Sequence, residues 1–272
     1  MTLPSAPRHG QIPRTGHRRS FASLRAISAL ILREMASTYG RSPGGYLWAI
    51  LEPAAGITLL SLVFAAAFRS PPIGISFPMF YATGMLPFVL FSDVQSKTAL
   101  SLMFSKQLLA YPTVTFLDAL IARFMLNLMT QLMVGYIVLT GCILMFDTRV
   151  SPDLPVIITA FAMTALLALG IGTLNCFLFT RFNVMQRAWS ILMRPMFIIS
   201  GIFFLFETIP DPYQDYLWYN PLIHVIGLMR RGFYSNYDAS YVSLPYVSGI
   251  SLVCLFLGLL FLRRYSRELL NS

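Results

Sequence analysis

The residues of this chain that could do chemistry stand inside long apolar segments. Asp93 and Lys97 are four residues apart, so on a helix they would face each other and form an ion pair. Arg123 lies within the longest apolar segment, where three outcomes are open: pairing with Asp118, snorkelling to the interface, or contact with an anionic substrate. Ionisable groups are costly in lipid and often functional, but the pairing of Asp93 with Lys97 favours a structural role for these two residues.

Motifs for nucleotide or metal chemistry are missing from the sequence. A phosphate-binding loop needs a lysine after glycine, but Lys97 and Lys106 both follow serine. H-E-x-x-H, C-x-x-C and G-x-S-x-G are also missing, and the three cysteines stand in apolar runs that favour helix packing. We therefore expect no catalytic residue, cofactor or metal in this chain. If it works with ATP, another chain must hydrolyse it.

The composition indicates a membrane protein built from helices. Of the 272 residues, 56% are hydrophobic and 11% are charged, whereas soluble domains carry roughly 25% charged residues. A membrane-spanning helix needs about 20 mostly apolar residues. The sequence predicts six such spans in an all-α membrane protein, at about residues 46–68, 78–101, 116–146, 154–180, 187–206 and 239–262.

Lysine and arginine placement predicts the orientation. With the N-terminus in the cytoplasm, the inside segments contain fifteen of the 20 basic residues and the outside loops contain four. Arg123 remains within a span. Because cytoplasmic loops are enriched in basic residues, we expect a multi-pass protein of the bacterial inner membrane with both termini in the cytoplasm. Tails at 1–19 and 263–272 would flank the six-span domain at 46–262.

Two further segments are predicted to be helical without spanning. In residues 20–41, apolar side chains recur at helical spacing with arginines between them, which is typical of a helix lying on the membrane surface. Residues 207–238 are polar at both ends and apolar in the middle. They predict either a pair of re-entrant helices on the periplasmic side, between spans five and six, or an external loop with an amphipathic helix.

Three stretches carry a family resemblance: YGRSPGGYLWAILEP at 39–53, LLAYPTVTFLDALIAR at 108–123, and SGIFFLFETIPDPYQDYLWYNPLIHVIGLMRRGFY at 200–234. Together they resemble the capsular polysaccharide export permeases, KpsM-like members of the type-2 ABC transporter superfamily. The resemblance implies a homodimer bound to two ATPase subunits, which would hold the ATP and magnesium. It also implies a lipid-linked acidic polysaccharide as cargo, with periplasmic and outer-membrane export proteins as partners and no nucleic acid.

Candidate site residues follow from this topology. The surface helix and the loop after the second span would dock the ATPase, with the residues Tyr39, Arg41, Lys106, Leu108, Leu109, Tyr111 and Pro112. Residues 207–234 would close a pore between two copies. Aromatic and basic side chains would line the substrate path, namely Trp48, Arg123, Phe203, Phe204, Trp218, Tyr219, Arg230 and Arg231. Aromatic residues at span ends are also common as interfacial anchors.

Three alternatives stay open. An exporter of the same superfamily could carry O-antigen, teichoic acid, another lipid-linked glycan or a drug. An ion-coupled carrier would show internal repeats with broken helices at matching positions, which the sequence lacks. A membrane-bound transferase would need clustered histidine or carboxylate residues, and the chain has three scattered histidines.

Overall fold

The computed structural model describes residues 22–38, 44–109 and 115–271. This part of the chain consists of ten α-helices and one short 3-10 helix, with no strand among the residues described. The all-α prediction is thereby confirmed. The predicted tail at 1–19 lies outside the described residues.

Five segments are long and apolar enough to cross a membrane: Leu47–Ala67, Phe77–Lys106, Phe116–Met145, Leu154–Arg181 and Leu244–Tyr265. They belong to the helices α2 (Gly45–Ala67), α3 (Phe77–Ala99) with α4 (Ser101–Leu109), α5 (Phe116–Met145), α6 (Leu154–Arg181) and α10 (Leu244–Asn271). These five match predicted spans one to four and six. Large apolar side chains such as Leu59, Leu62 and Phe256 are exposed on their outer faces, which suits a lipid environment.

The predicted fifth span is shorter than expected. Its helix, α7 (Asn183–Ile199), has 17 residues and would reach about 25 Å at 1.5 Å per residue. The apolar run continues beyond it, but Gly201 adopts a positive φ of 84° and the helix has already ended. Hydropathy alone did not reveal this break, because residues 200–206 are still largely apolar.

The remaining helices lie at the two ends of the bundle. The segment predicted to be a surface helix, residues 20–41, contains α1 (Ala22–Thr38), which packs on α5. Between α7 and α10 come the 3-10 helix Phe206–Thr208, α8 (Tyr213–Trp218) and α9 (Pro221–Phe233). The last helix begins at Leu244 rather than at the predicted 239, since Ala239 turns the chain with a φ of 49°.

The core is centred on α3 and α6, with α5, α9 and α10 packed around them. Close packing of α6 on α10 depends on glycine. A Cβ atom at Gly170 would overlap with the Ser251 carbonyl oxygen, and a Cβ atom at Gly258 would lie only 2.6 Å from the Leu174 nitrogen. Small residues of this kind let helices approach closely in membranes. Hydroxyl groups such as those of Thr164 and Ser251 donate to their own helix backbone four residues earlier, so they need no outside partner.

For clarity, the end of the bundle with α1 and α4 is called the α1 end, and the end with α8 and α9 is called the α9 end. The chain passes from α6 into α7 at the α1 end. At the α9 end, the α9 helix packs on α3 and α6, and the loop before α6 is bonded to it through Asp153 N–H and the Gly232 carbonyl oxygen at 2.8 Å.

Candidate functional site

At the α1 end, Arg123 joins three helices. Its Nε donates to Glu34 Oε1 of α1 at 2.8 Å, and its Nη1 donates to the Leu100 carbonyl oxygen at 3.0 Å. The guanidinium carbon lies 4.1 Å from the centre of the Phe104 ring on α4. The Arg123 and Glu34 side chains are only 11% and 9% exposed. We call these four residues the Arg123 junction; it connects α1, α4 and α5.

The pairing of Arg123 with Asp118, open from the sequence, does not form. Asp118 instead caps its own helix: its Oδ2 accepts from the Thr115 N–H at 2.9 Å and from the Thr115 hydroxyl at 2.8 Å. The Thr115 hydroxyl oxygen in turn accepts from the Asp118 N–H, which completes a capping box. The Asp118 carboxylate is thus engaged at the start of its own helix, where the first amides lack partners within the helix, and it does not pair with Arg123.

The predicted ion pair between Asp93 and Lys97 does form, at 3.8 Å. Gln131 of α5 also donates to Asp93, with a separation of 2.5 Å between the two heavy atoms. These side chains line a cavity of about 260 Å³ together with Trp48 and Glu52 of α2. Asp93, the carboxylate inside the second span, thus has polar partners within the subunit, as is usual for charges at membrane depth.

At the α9 end, Arg230 is fully enclosed. Its Nη1 donates to the Phe204 carbonyl oxygen at 2.8 Å and its Nη2 to the Ile202 carbonyl oxygen at 3.0 Å. The guanidinium carbon lies 4.2 Å from the centre of the Phe80 ring on α3. Only 2% of the residue is exposed. The sequence predicted Arg230 on the outer substrate path; the structure buries it, where it fastens the loop after α7 to α9 and α3.

A second polar group holds the start of α9. The Asn220 side chain accepts from the Leu222 N–H at 3.1 Å, and its amide donates to the Ser200 hydroxyl at 3.2 Å. His224 bonds the Trp218 carbonyl oxygen through Nε2 at 2.8 Å and accepts the Ser243 N–H at Nδ1 at 3.2 Å. This arrangement requires the neutral imidazole with its proton on Nε2. Burial lowers the pKa of His224, which favours the same neutral form.

Within one subunit the structure divides the predicted path residues between the two ends of the bundle. Trp48 and Arg123 lie at the α1 end. The other six lie at the α9 end, where Arg230 bonds the Phe204 carbonyl oxygen and the Trp218 and Tyr219 rings are in contact. Trp48 is 65% exposed and lies at the α1 end. Phe203 packs at the opposite end of α2 against Phe64, and Trp218 packs on Tyr246 with 4.7 Å between ring centres. Phe204 is half-buried, whereas Tyr219 and Arg231 are exposed.

Four of the seven predicted ATPase-coupling residues lie outside the part of the chain that the structure describes, namely Tyr39, Arg41, Tyr111 and Pro112. Lys106 is exposed on α4, and Leu108 and Leu109 belong to the last turn of that helix. Sequence reasoning missed the buried amide of Gln95, which joins α3 to α7. Gln95 Oε1 accepts from the Trp189 indole at 2.9 Å, and the signal was an amide inside an apolar span.

The helical bundle and its membrane-length segments define the class of this chain as a polytopic helical membrane protein. Residues 25–234 match the ABC-2 type transporter family, and the chain belongs to that family. It is 34% identical to the polysialic acid transport protein KpsM of Escherichia coli over 248 residues, which is 90% of this chain and 95% of that protein.

Two further relatives have capsule export in their names. The capsule polysaccharide export inner-membrane protein CtrC of Neisseria meningitidis is 26% identical, over 89% of this chain and 92% of CtrC. BexB of Haemophilus influenzae, with the same description, is 24% identical over the same shares. The family predicted from the three sequence stretches is confirmed.

Proposed function

We propose that this chain is the membrane-spanning permease subunit of an ATP-driven exporter that moves lipid-linked capsular polysaccharide across the bacterial inner membrane. The observation that carries this proposal is the 34% identity with a polysialic acid transport protein, which extends over 95% of that relative. Such coverage leaves no large part of the relative without a counterpart here. Two copies of the chain would assemble with two ATPase subunits, and ATP and magnesium would bind to those subunits.

In this proposal, α7 and the loop that follows it supply a sixth crossing. The chain enters α7 from α6 at the α1 end, and residues 202 and 204 are bonded to Arg230 at the α9 end. The helix alone is short of the roughly 20 residues that a span needs. Six crossings would place both termini in the cytoplasm, which agrees with the excess of basic residues expected there.

The Arg123 junction would transmit movement of the ATPase to the spans. It connects the surface helix α1 and the short helix α4, which leads into the predicted docking loop, to the long helix α5. A largely buried, hydrogen-bonded ion pair resists separation because breaking it leaves charge in a poorly solvated place. Elements held in this way move as one body when a partner pushes on either helix.

The α8–α9 pair would form the outer closure as a re-entrant segment between the last two crossings. Hydrogen bonds of Arg230, Asn220 and His224 hold these helices against α3, α7 and the turn before α10. Non-helical backbone at membrane depth is tolerated where protein buries it. The polymer would pass between two copies, against exposed side chains such as Trp48, Tyr219 and Arg231, and periplasmic partners would receive it.

A deletion strain tests the proposed function. Loss of the gene is expected to abolish surface polysaccharide and to leave the lipid-linked polymer inside the cell, and a plasmid copy is expected to restore export. Compositional analysis of the retained polymer separates capsule from O-antigen or teichoic acid, since the ABC-2 type family is broader than capsule export. Unchanged surface polymer with no internal accumulation would refute the proposal.

A further inference from the structure

One face of α7 carries a row of exposed polar residues, of which Ser190 bonds only its own helix, through its hydroxyl and the Gln186 carbonyl oxygen. Asn183, Arg187, Ser190 and Arg194 follow one another at intervals of four, three and four residues, which places them on a single stripe of an α-helix. All four are exposed, whereas Trp189, Met193 and Phe197 turn toward the rest of the subunit. The stripe is therefore separate from the face that holds α7 in place.

The stripe opens on a cavity of about 750 Å³ at the α1 end, which Gln186 and Met103 of α4 also line. Its lining contains two arginines and no carboxylate. Among the residues that the structure describes, neither arginine has an ion pair or a hydrogen bond.

Position makes these charges unusual. Arg194 stands in the last third of α7, directly before Pro195, on a helix that the proposed function treats as a membrane crossing. An arginine facing lipid there costs a few kcal/mol or more, so such residues face a water-filled cavity or bind a charged group. Arg187 lies two helical turns closer to the α1 end, which gives a second charge about 10 Å away along the helix axis.

We propose that this stripe is a binding site for the acidic groups, phosphate or carboxylate, of an anionic glycolipid that enters from the α1 end. The assignment rests on the proposed function and deepens it. Arginine suits either group because its guanidinium donates a pair of parallel hydrogen bonds. Two cations at this spacing can hold successive acidic groups without trapping the polymer, since each exposed contact is weak and screened by salt.

Binding can be measured on the complete complex of this chain with its ATPase, in phosphatidylcholine nanodiscs. The probe is fluorescently labelled tetragalacturonic acid, and maltotetraose is the neutral control of equal length. Removing both charges in Arg187→Gln/Arg194→Gln is expected to weaken tetragalacturonate binding about tenfold or more, because charge-assisted bonds are lost. Maltotetraose binding should not change. Arg69→Gln, which alters an exposed arginine in the loop after α2, serves as the matched control and should bind like the parent chain.

A second arm uses nanodiscs with phosphatidylglycerol and measures the lipid retained by native mass spectrometry. Retention that depends on the two arginines, without oligosaccharide binding, would keep the anion site and assign it to a lipid headgroup. Should the glutamine variant fail to assemble, Arg187→Lys/Arg194→Lys takes its place. It keeps the charge but loses the paired hydrogen bonds, so tetragalacturonate binding should fall while maltotetraose binding stays unchanged. Dissociation of the two copies in the glutamine variant, with no change in either ligand, would assign the arginines to a subunit contact and overturn the proposal. If the parent complex binds tetragalacturonate through the two arginines but deletion of the gene leaves export intact, the proposed function is refuted and the anion site remains.

Discussion

The two ends of the bundle each contain an enclosed arginine, and the two are stabilised differently. Arg123 at the α1 end has a carboxylate of another helix, Glu34, in addition to one backbone carbonyl oxygen and an aromatic ring. Arg230 at the α9 end has no ion pair among the described residues and relies on two backbone carbonyl oxygens and an aromatic ring. An ion pair between side chains joins elements that can move together, whereas bonds to backbone carbonyl groups fix the path of the chain itself.

This difference fits the roles proposed for the two ends. The α1 end would receive movement from another subunit, so its helices need a strong connection to the spans. The α9 end would hold an irregular loop in place at membrane depth, where unpaired carbonyl groups are costly.

The largest effect is expected at the α9 end. Arg230→Gln removes the donors of two carbonyl groups in a buried site, and each unsatisfied group costs roughly 1–3 kcal/mol. We expect a destabilisation of about 3 kcal/mol or more, seen as a lower unfolding temperature in detergent and reduced membrane abundance. The stability of Arg230→Lys should lie between that of the parent chain and that of Arg230→Gln, since lysine keeps the charge but not the paired hydrogen bonds. A glutamine variant as stable as the parent chain would show that the carbonyl bonds do not hold the loop.

The Arg123 junction should respond as a pair. Arg123→Met alone removes the cation from a largely buried carboxylate and is expected to cost about 3 kcal/mol of unfolding free energy. The double variant Arg123→Met/Glu34→Met should be destabilised by less than the sum of the two single changes. A double-mutant cycle in unfolding free energy measures this coupling. Additive effects would mean that the 2.8 Å contact contributes nothing. ATP hydrolysis by the double variant should persist while export falls, because the link is broken.

Acid should weaken the α9 end. Burial lowers the pKa of His224, so the unfolded chain takes up more protons than the folded chain as pH falls. The stabilising contribution is complete above the ordinary histidine pKa of about 6.5 and is lost progressively below it. Hydrogen exchange of the α9 amides should therefore quicken between pH 7.5 and 5.5 after correction for intrinsic rates. In His224→Gln this extra pH dependence should disappear; its persistence would exclude the histidine as the cause.

The smallest effect is expected from an exposed pair. Arg149 and Asp147 are 3.6 Å apart, but their side chains are 77% and 73% exposed. Exposed pairs of this kind contribute about 0–1 kcal/mol. Arg149→Gln should thus leave the unfolding temperature nearly unchanged, and a large shift would mean that exposure is a poor guide to which arginines matter here.

The sequence predicted the elements better than the contacts between them. Five apolar segments and the α1 helix follow from hydropathy and helical spacing, because each is a local property of consecutive residues. The end of α7 escaped prediction since residues 200–206 stay apolar while Gly201 turns the backbone. Partners that lie far apart in the chain, such as Glu34 with Arg123 or Arg230 with Ile202, depend on how the helices pack. For the same reason Arg230 was expected on an exposed surface and lies inside.

Transport by the purified complex tests the central claim most directly. The chain and its ATPase would be reconstituted in vesicles with the ATPase side outward, and labelled lipid-linked acidic polymer would be added outside with magnesium. We expect the polymer to become protected inside the vesicles only when ATP is present and hydrolysed. Uptake without ATP, or uptake abolished by collapsing an ion gradient while hydrolysis continues, would contradict the account.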